Sequence, residues 1–141
     1  MIMEIDTLYL KRCTSTLEKA YSLLQKADKE TIDYDMYRSA SIKEFEIIIE
    51  QGGKLLKKAL KPYFHSSKAV DALVFKDIFR NAALHTIIDA DTCERWLIYR
   101  DNRNSTAHVY GLGFAEETLQ LLPQFIIDAK ALAFAIDKSN A

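Results

Sequence analysis

Between Arg103 and Tyr110 the chain sets a guanidinium, an amide, an imidazole and a phenol within eight residues: Arg103, Asn104, His108 and Tyr110, with Arg100 just before them. An arginine stays charged at any physiological pH and offers a planar fork of donors that matches phosphate oxygens. A histidine gives or takes a proton near neutrality, its unperturbed pKa being about 6.5. An amide can orient that imidazole or bind phosphate itself. Together these groups suit acid–base chemistry on a phosphodiester. No other segment concentrates as much. Spacing alone leaves a plainer reading open, in which the arginine caps a helix end and the histidine fills a turn.

Arg103 and His108 are five residues apart. On one continuous helix that is about 140° of rotation, which would splay them. The helix is therefore expected to end near Asn104, or the pair to converge with groups from elsewhere. Asn104, Ser105 and Thr106 favour an ending, because their side chains compete for backbone hydrogen bonds.

Other candidates are weaker. Lys54, Lys57, Lys58 and Lys61 recur at helical spacing on one face. They can hold phosphate, or they can be a solvated face suited to a helix C-terminus. His65 and His85 have no second ligand at helical spacing and read as ordinary histidines. Glu46 and Glu50 share a face with Glu44 nearby, but carboxylates without a histidine or an Asp-rich loop are a weak metal signal, so no metal site is expected. Cys13 and Cys93 stand far apart in no metal-ligand spacing and read as reduced thiols of a cytoplasmic protein. No glycine-rich phosphate loop and no nucleophile constellation is found.

The elements that must position these groups read as helices. The 141 residues fit one domain, 1–141, and the 49% hydrophobic and 28% charged content is that of a globular protein. A net charge of -1 gives no global basic field, so any nucleic-acid binding must come from a local patch. The N-terminus lacks the pattern of a signal peptide. No apolar run of about 18 residues stands out, so no membrane span is expected. A first helix is predicted from about Glu4 to Asp28, with Leu8, Cys13, Leu17, Ala20, Tyr21 and Leu24 as its stripe. A second should run from about Tyr34 to Leu60 on Phe45, Ile48, Ile49, Gly52, Leu55, Leu56 and Ala59. Pro62 should end it by pushing Lys61 out of the α region. Gly52 and Gly53 inside it cost about 1 kcal/mol each relative to alanine, which a close helix approach or a local bend would explain.

Ser66 or Ser67 should cap a third helix, Lys68 to Leu84, with Val70, Leu73, Val74, Ile78 and Ala82 buried. Asp89 or Asp91 should cap a fourth, carrying Trp96, Leu97 and Tyr99 toward Arg103. After a loop at Gly111–Gly113, a last helix should span Phe114 to Lys138 on a stripe of Leu119, Leu122, Phe125, Ile126, Ala129, Leu132, Ala133 and Ile136, kinked near Leu119 to Leu122 by Pro123. The prediction is an all-α bundle of four or five helices with mostly antiparallel neighbours.

The spacing Arg103-Asn-x-x-x-His108 resembles the R-x4-6-H signature of the HEPN superfamily, compact all-α proteins many of which are ribonucleases. With Tyr110 it is similar to the R-x4-H-x-Y of HEPN toxins paired with a minimal nucleotidyltransferase antitoxin, the HepT group. The segment from Arg38 through Phe45 and Glu46 to Leu56 resembles the long helix of proteins called nucleotidyltransferase substrate-binding. Residues Trp96 to Tyr110 resemble their Asp-Arg-Asn…His-x-Tyr segment. The likeness runs from about residue 34 to 135. It departs at Gly52-Gly53, where members carry larger residues such as alanine and tryptophan.

The resemblance implies a homodimer whose two motifs form one composite ribonuclease site, the toxin of a type VII toxin–antitoxin pair. Arg103, His108 and Asn104 would be catalytic, acting without metal or cofactor on tRNA or mRNA. Tyr110 would accept AMP from the antitoxin, which uses ATP. Lys54, Lys57, Lys58, Lys61 and Arg100 would guide the RNA. Two rival readings remain. One is a non-catalytic partner that holds substrate for a nucleotidyltransferase. The other is a purely structural helical dimer.

Overall fold

The computed structural model describes residues 4–106 and 112–140 of the chain. Its regular structure is helical, with no strand among the described residues. Six α-helices follow in order: α1 (Leu8–Lys26), α2 (Ile32–Leu60), α3 (Ser67–Asp71), α4 (Phe75–Leu84), α5 (Ala90–Thr106) and α6 (Leu112–Ser139).

Local chemistry sets most of the boundaries. Thr31 starts α2 by accepting the Tyr34 N–H at 3.2 Å, so the helix begins two residues earlier than its stripe predicts. Ser66 caps α3 by accepting from the Ala69 N–H at 3.1 Å. Asp89 caps α5 by accepting from the Thr92 N–H at 2.7 Å, and that bond holds its carboxyl below the usual range. Pro62 does end α2, but Lys61 keeps right-handed helical angles, φ -50 and ψ -44. The chain tightens into a 3-10 turn, Lys61–Tyr63, which tolerates the missing proline N–H. Of the expected loop at Gly111–Gly113, Leu112 and Gly113 belong instead to α6, and Gly111 lies outside the described residues.

The predicted third helix is two. Leu73 N–H turns back to Val70 O at 3.0 Å, and Val74 takes an extended backbone, φ -88 and ψ 168, before α4 begins. Val74, expected in the core, is 63% exposed. The break re-aims the chain so that Val70 and the Ile78–Phe79 pair are all buried. Leu8 is likewise exposed, and Leu10 takes its place in the core. The stripe of α2 holds, with all seven expected residues buried, and on α6 Leu122, Phe125, Ile126, Ala129, Leu132, Ala133 and Ile136 are buried while Leu119 is only partly so.

Helix directions follow from cross-contacts. Lys11 pairs with Asp137 and Glu18 with Lys130, so α1 runs antiparallel to α6. Arg95 meets Asp128 and Asn102 meets Thr118, so α5 also opposes α6. Phe45 packs on Phe125 at 4.6 Å, and Gly52 faces Leu132, so α2 and α6 run parallel, the exception to the antiparallel rule. Gly52 and Gly53 lie within unbroken helix. A Cβ on Gly52 would stand 2.9 Å from Leu132 Cδ2, and one on Gly53 would stand 3.2 Å from the Phe75 ring. Close approach therefore explains the glycines.

Residues Ala115–Ser139 of α6 are long and apolar enough, at hydropathy 1.4, to cross a bilayer by composition, contrary to expectation. Here that apolar face fills the core against α1, α2 and α5. The segment before α1 is tied to the end of α6, where Ile5 N–H donates to Asn140 Oδ1 at 2.9 Å and Asn140 Nδ2 donates to Ile5 O at 3.0 Å.

Candidate active site

α5 carries the arginine of the motif, and its inner face is anchored by aromatic rings. Trp96 is fully buried and stacks on Phe79 of α4 at 5.2 Å, while Tyr99 meets Phe125 of α6 edge-on at 4.9 Å. Edge-to-face and offset packing of this kind adds about 1 kcal/mol per pair beyond area burial. One turn after Tyr99 comes Arg103.

A polar anchor reinforces the aromatic one. Asp128 of α6 is 2% exposed and accepts from Arg95 Nε at 2.8 Å, Arg95 Nη2 at 3.0 Å and Tyr99 Oη at 2.5 Å. Gln124 adds a fourth donor at 3.2 Å. The bidentate fork and the extra donors are what a buried carboxylate requires. Burial pushes the Tyr99 phenol up, and its bond to Asp128 pushes it further. Asp128 likewise raises the Arg95 guanidinium through their hydrogen bonds. The network fixes the rotation and register of α5 on α6. Asn102 Nδ2 donates to Thr118 Oγ1 at 2.8 Å and extends the tie to the level of Arg103.

Arg103 then points to α2. Its Nη2 lies 3.4 Å from Glu50 Oε2, and its side chain is 27% exposed against 67% for Glu50. This ion pair is one of its contacts. The pair stands at one end of a groove of about 390 Å³ along α2, with Ser39, Ile42, Lys43, Glu46 and Ile47 as its other walls. Those positions recur every three or four residues, so one face of α2 forms the floor. At about 100° per residue, Lys43, Lys54 and Lys57 project within about 60° of one another. The lysines thus continue the same face of α2 beyond Glu50.

The individual lysines differ. Lys54, Lys58 and Lys61 are exposed. Lys57 is half-buried, and its Nζ donates to Asp71 O at 2.9 Å, which pins α3 to α2. Arg100 lies over the Phe75 ring, 4.9 Å from its centre, and so turns toward α4 rather than toward Glu50. Asn104 is exposed on α5. α5 continues past Asn104 to Thr106, beyond the expected ending. His108 and Tyr110 lie outside the described residues. His65 is exposed, and His85 stacks on Tyr63 at 4.2 Å. Among the described residues no three His, Cys, Asp or Glu side chains converge as metal ligands. Cys13 and Cys93 are buried free thiols, and burial raises both.

Two features escape a reading of the sequence. Glu50 reads there only as half of a weak acidic pair, whereas it faces Arg103. Asp128 goes unremarked, although a lone carboxylate in the apolar run from Leu121 to Ala129 signals a buried partner.

Comparison with known proteins agrees with this architecture. Residues 12–138 match the family described as nucleotidyltransferase substrate binding protein like. A curated Haemophilus influenzae protein named "Probable ribonuclease HepT" is 28% identical over 110 residues, 78% of this chain and 74% of that protein. A solved Haemophilus influenzae structure, described as the fold of a substrate binding domain of a nucleotidyltransferase, superposes with a TM-score of 0.78 at 24% identity. It covers 93% of this chain and 98% of that one, a likeness that shows the fold alone. With a match that takes in all six helices at least in part, the chain belongs to the nucleotidyltransferase substrate binding protein like family, an all-helical, HepT-like group.

Proposed function

We propose that this chain is a cytoplasmic ribonuclease toxin, neutralised by a partner nucleotidyltransferase. The observation that carries the reading is Arg103: a guanidinium at the end of an open groove on the face of α2 that also bears Lys43, Lys54 and Lys57. Similarity to a probable ribonuclease supports it.

In the proposed reaction the RNA strand lies along α2. Arg103 binds the non-bridging oxygens of one phosphate and stabilises the charge of the phosphorane. One His108 takes the proton from the 2′-hydroxyl as its oxygen attacks phosphorus. The P–O5′ bond breaks, and a second His108 protonates the leaving 5′-oxygen. The products are a 2′,3′-cyclic phosphate and a 5′-hydroxyl. Asn104 orients the imidazole or holds phosphate. Each chain has one such histidine, so two protomers share the site. The chain needs no cofactor of its own.

For silencing, the Tyr110 phenolate attacks the α-phosphorus of ATP in the partner's site and pyrophosphate leaves. The added AMP brings a bulky nucleoside and one negative phosphodiester charge to the RNA path. The family's description as substrate binding favours one other reading, a non-catalytic subunit in which Arg103 holds nucleotide phosphate for the partner enzyme.

The test is cleavage of single-stranded RNA in EDTA by the purified chain and by His108→Ala. Cleavage that disappears with His108 while circular dichroism is unchanged supports the ribonuclease. No cleavage, and no growth arrest on expression without the partner, supports the binding subunit. An active monomer in sedimentation would remove the shared site.

A further inference from the structure

The groove beside Arg103 is not a plain phosphate track. Along one face of α2 the order is Lys43, Glu46, Glu50, Lys54, Lys57. Two carboxylates interrupt the cations where Arg103 arrives, although negative charge there repels a phosphate backbone. Glu50 faces the guanidinium at 3.4 Å. Glu46, one turn earlier, is half-buried and lines the groove, and among the described residues no side-chain hydrogen bond or ion pair engages its carboxylate. Ile42 and Ile47, both half-buried, flank it in the same groove.

Apolar walls suit the flat face of a base, and an ionised carboxylate only accepts hydrogen bonds. The nucleobases differ in what they offer it. Guanine alone presents two adjacent donors, N1–H and the N2 amino group, which meet both oxygens of one carboxylate. Adenine and cytosine each set one amino group beside a ring acceptor that repels it. Uracil sets one N–H between two carbonyls. Single-stranded RNA exposes these edges for reading.

We infer that Glu46 reads a guanine base of single-stranded RNA beside the phosphate that Arg103 holds. The inference rests on the ribonuclease reading for its substrate, but its test does not depend on cleavage. Labelled 2′-O-methyl oligonucleotides lack the attacking hydroxyl, so the unaltered chain binds them without cutting. An all-adenine strand is compared, by fluorescence anisotropy at fixed salt, with strands carrying one G, one C or one U.

The G strand should bind at least about tenfold tighter than the A strand, the scale of one bidentate base contact. Glu46→Gln offers one acceptor and one donor, the pattern that suits adenine, so the G advantage should vanish or pass to A. Glu46→Asp, which keeps the carboxylate, should retain part of it. Equal binding to all four strands, or an unchanged G preference in Glu46→Gln, overturns the inference. G-selective binding by a chain that cuts no RNA would sink the ribonuclease reading and leave Glu46 its role. Cleavage of ordinary RNA without base preference would do the reverse.

Discussion

Arg103 on α5 and Glu50 on α2 meet at 3.4 Å, so the guanidinium marked for phosphate already faces a carboxylate across the groove. Glu50 is largely exposed, and pairs of that kind contribute about 0–1 kcal/mol. On the proposed function, a phosphate on Arg103 would compete with this weak pair. Arg103→Lys keeps the charge but loses the fork. It should lower kcat/KM for RNA by about 100-fold or more while the urea midpoint stays nearly fixed. A lysine variant as active as the parent would mean that charge alone suffices.

Tyr110→Phe keeps the ring and removes the acceptor oxygen. On the proposed function it should cut RNA at close to the parent rate yet resist silencing by the partner with ATP and Mg²⁺. Intact mass would rise by one or more AMP units in the parent and not in the variant. Equal modification of both would put the acceptor elsewhere.

Gly52 and Gly53 should respond differently to alanine. Both gain about 1 kcal/mol of helix propensity. At Gly52 the new methyl meets Leu132 Cδ2 at 2.9 Å, and Leu132 is only 1% exposed, so it has little room to move. Overpacking costs about 1–3 kcal/mol and should win. At Gly53 the neighbour is the half-buried Phe75 ring at 3.2 Å, which can yield. Gly53→Ala should be neutral or stabilising, and Gly52→Ala should be about 1 kcal/mol less stable than it, as read from denaturant midpoints. The reverse order would contradict the close approach of α2 and α6.

Acid should loosen the tie between α1 and α6. The bond from Lys11 Nζ, then that from Thr7 Oγ1, both at 2.6 Å, hold the Asp137 carboxyl below its usual range. A carboxyl with a depressed folded pKa stabilises fully above its unfolded value, about 3.9, and loses that contribution as pH falls through the folded value. Asp137→Asn should thus be less stable than the parent at pH 7, and the gap should close below about pH 4. A gap independent of pH would mean that the carboxylate charge contributes nothing.

The sequence alone determined the helical class, the buried stripes of α2 and α6 and the stop at Pro62, and narrowed two caps to Ser66 or Ser67 and Asp89 or Asp91, for reasons that are local. A 3.6-residue period marks a buried face, and a side chain two or three residues from a helix start satisfies its free N–H groups. The crowding of Arg103, Asn104, His108 and Tyr110 was legible for the same reason, although the last two lie outside the described residues. Only the tertiary structure decided that α2 and α6 run parallel, that Gly52 faces Leu132, that the Val74 break splits α3 from α4, and that Glu50 meets Arg103. Periodicity shows which face of a helix is covered but not which helix covers it. That choice depends on how α5 is keyed by Asp128, a carboxylate whose partners lie about 30 residues away along the chain.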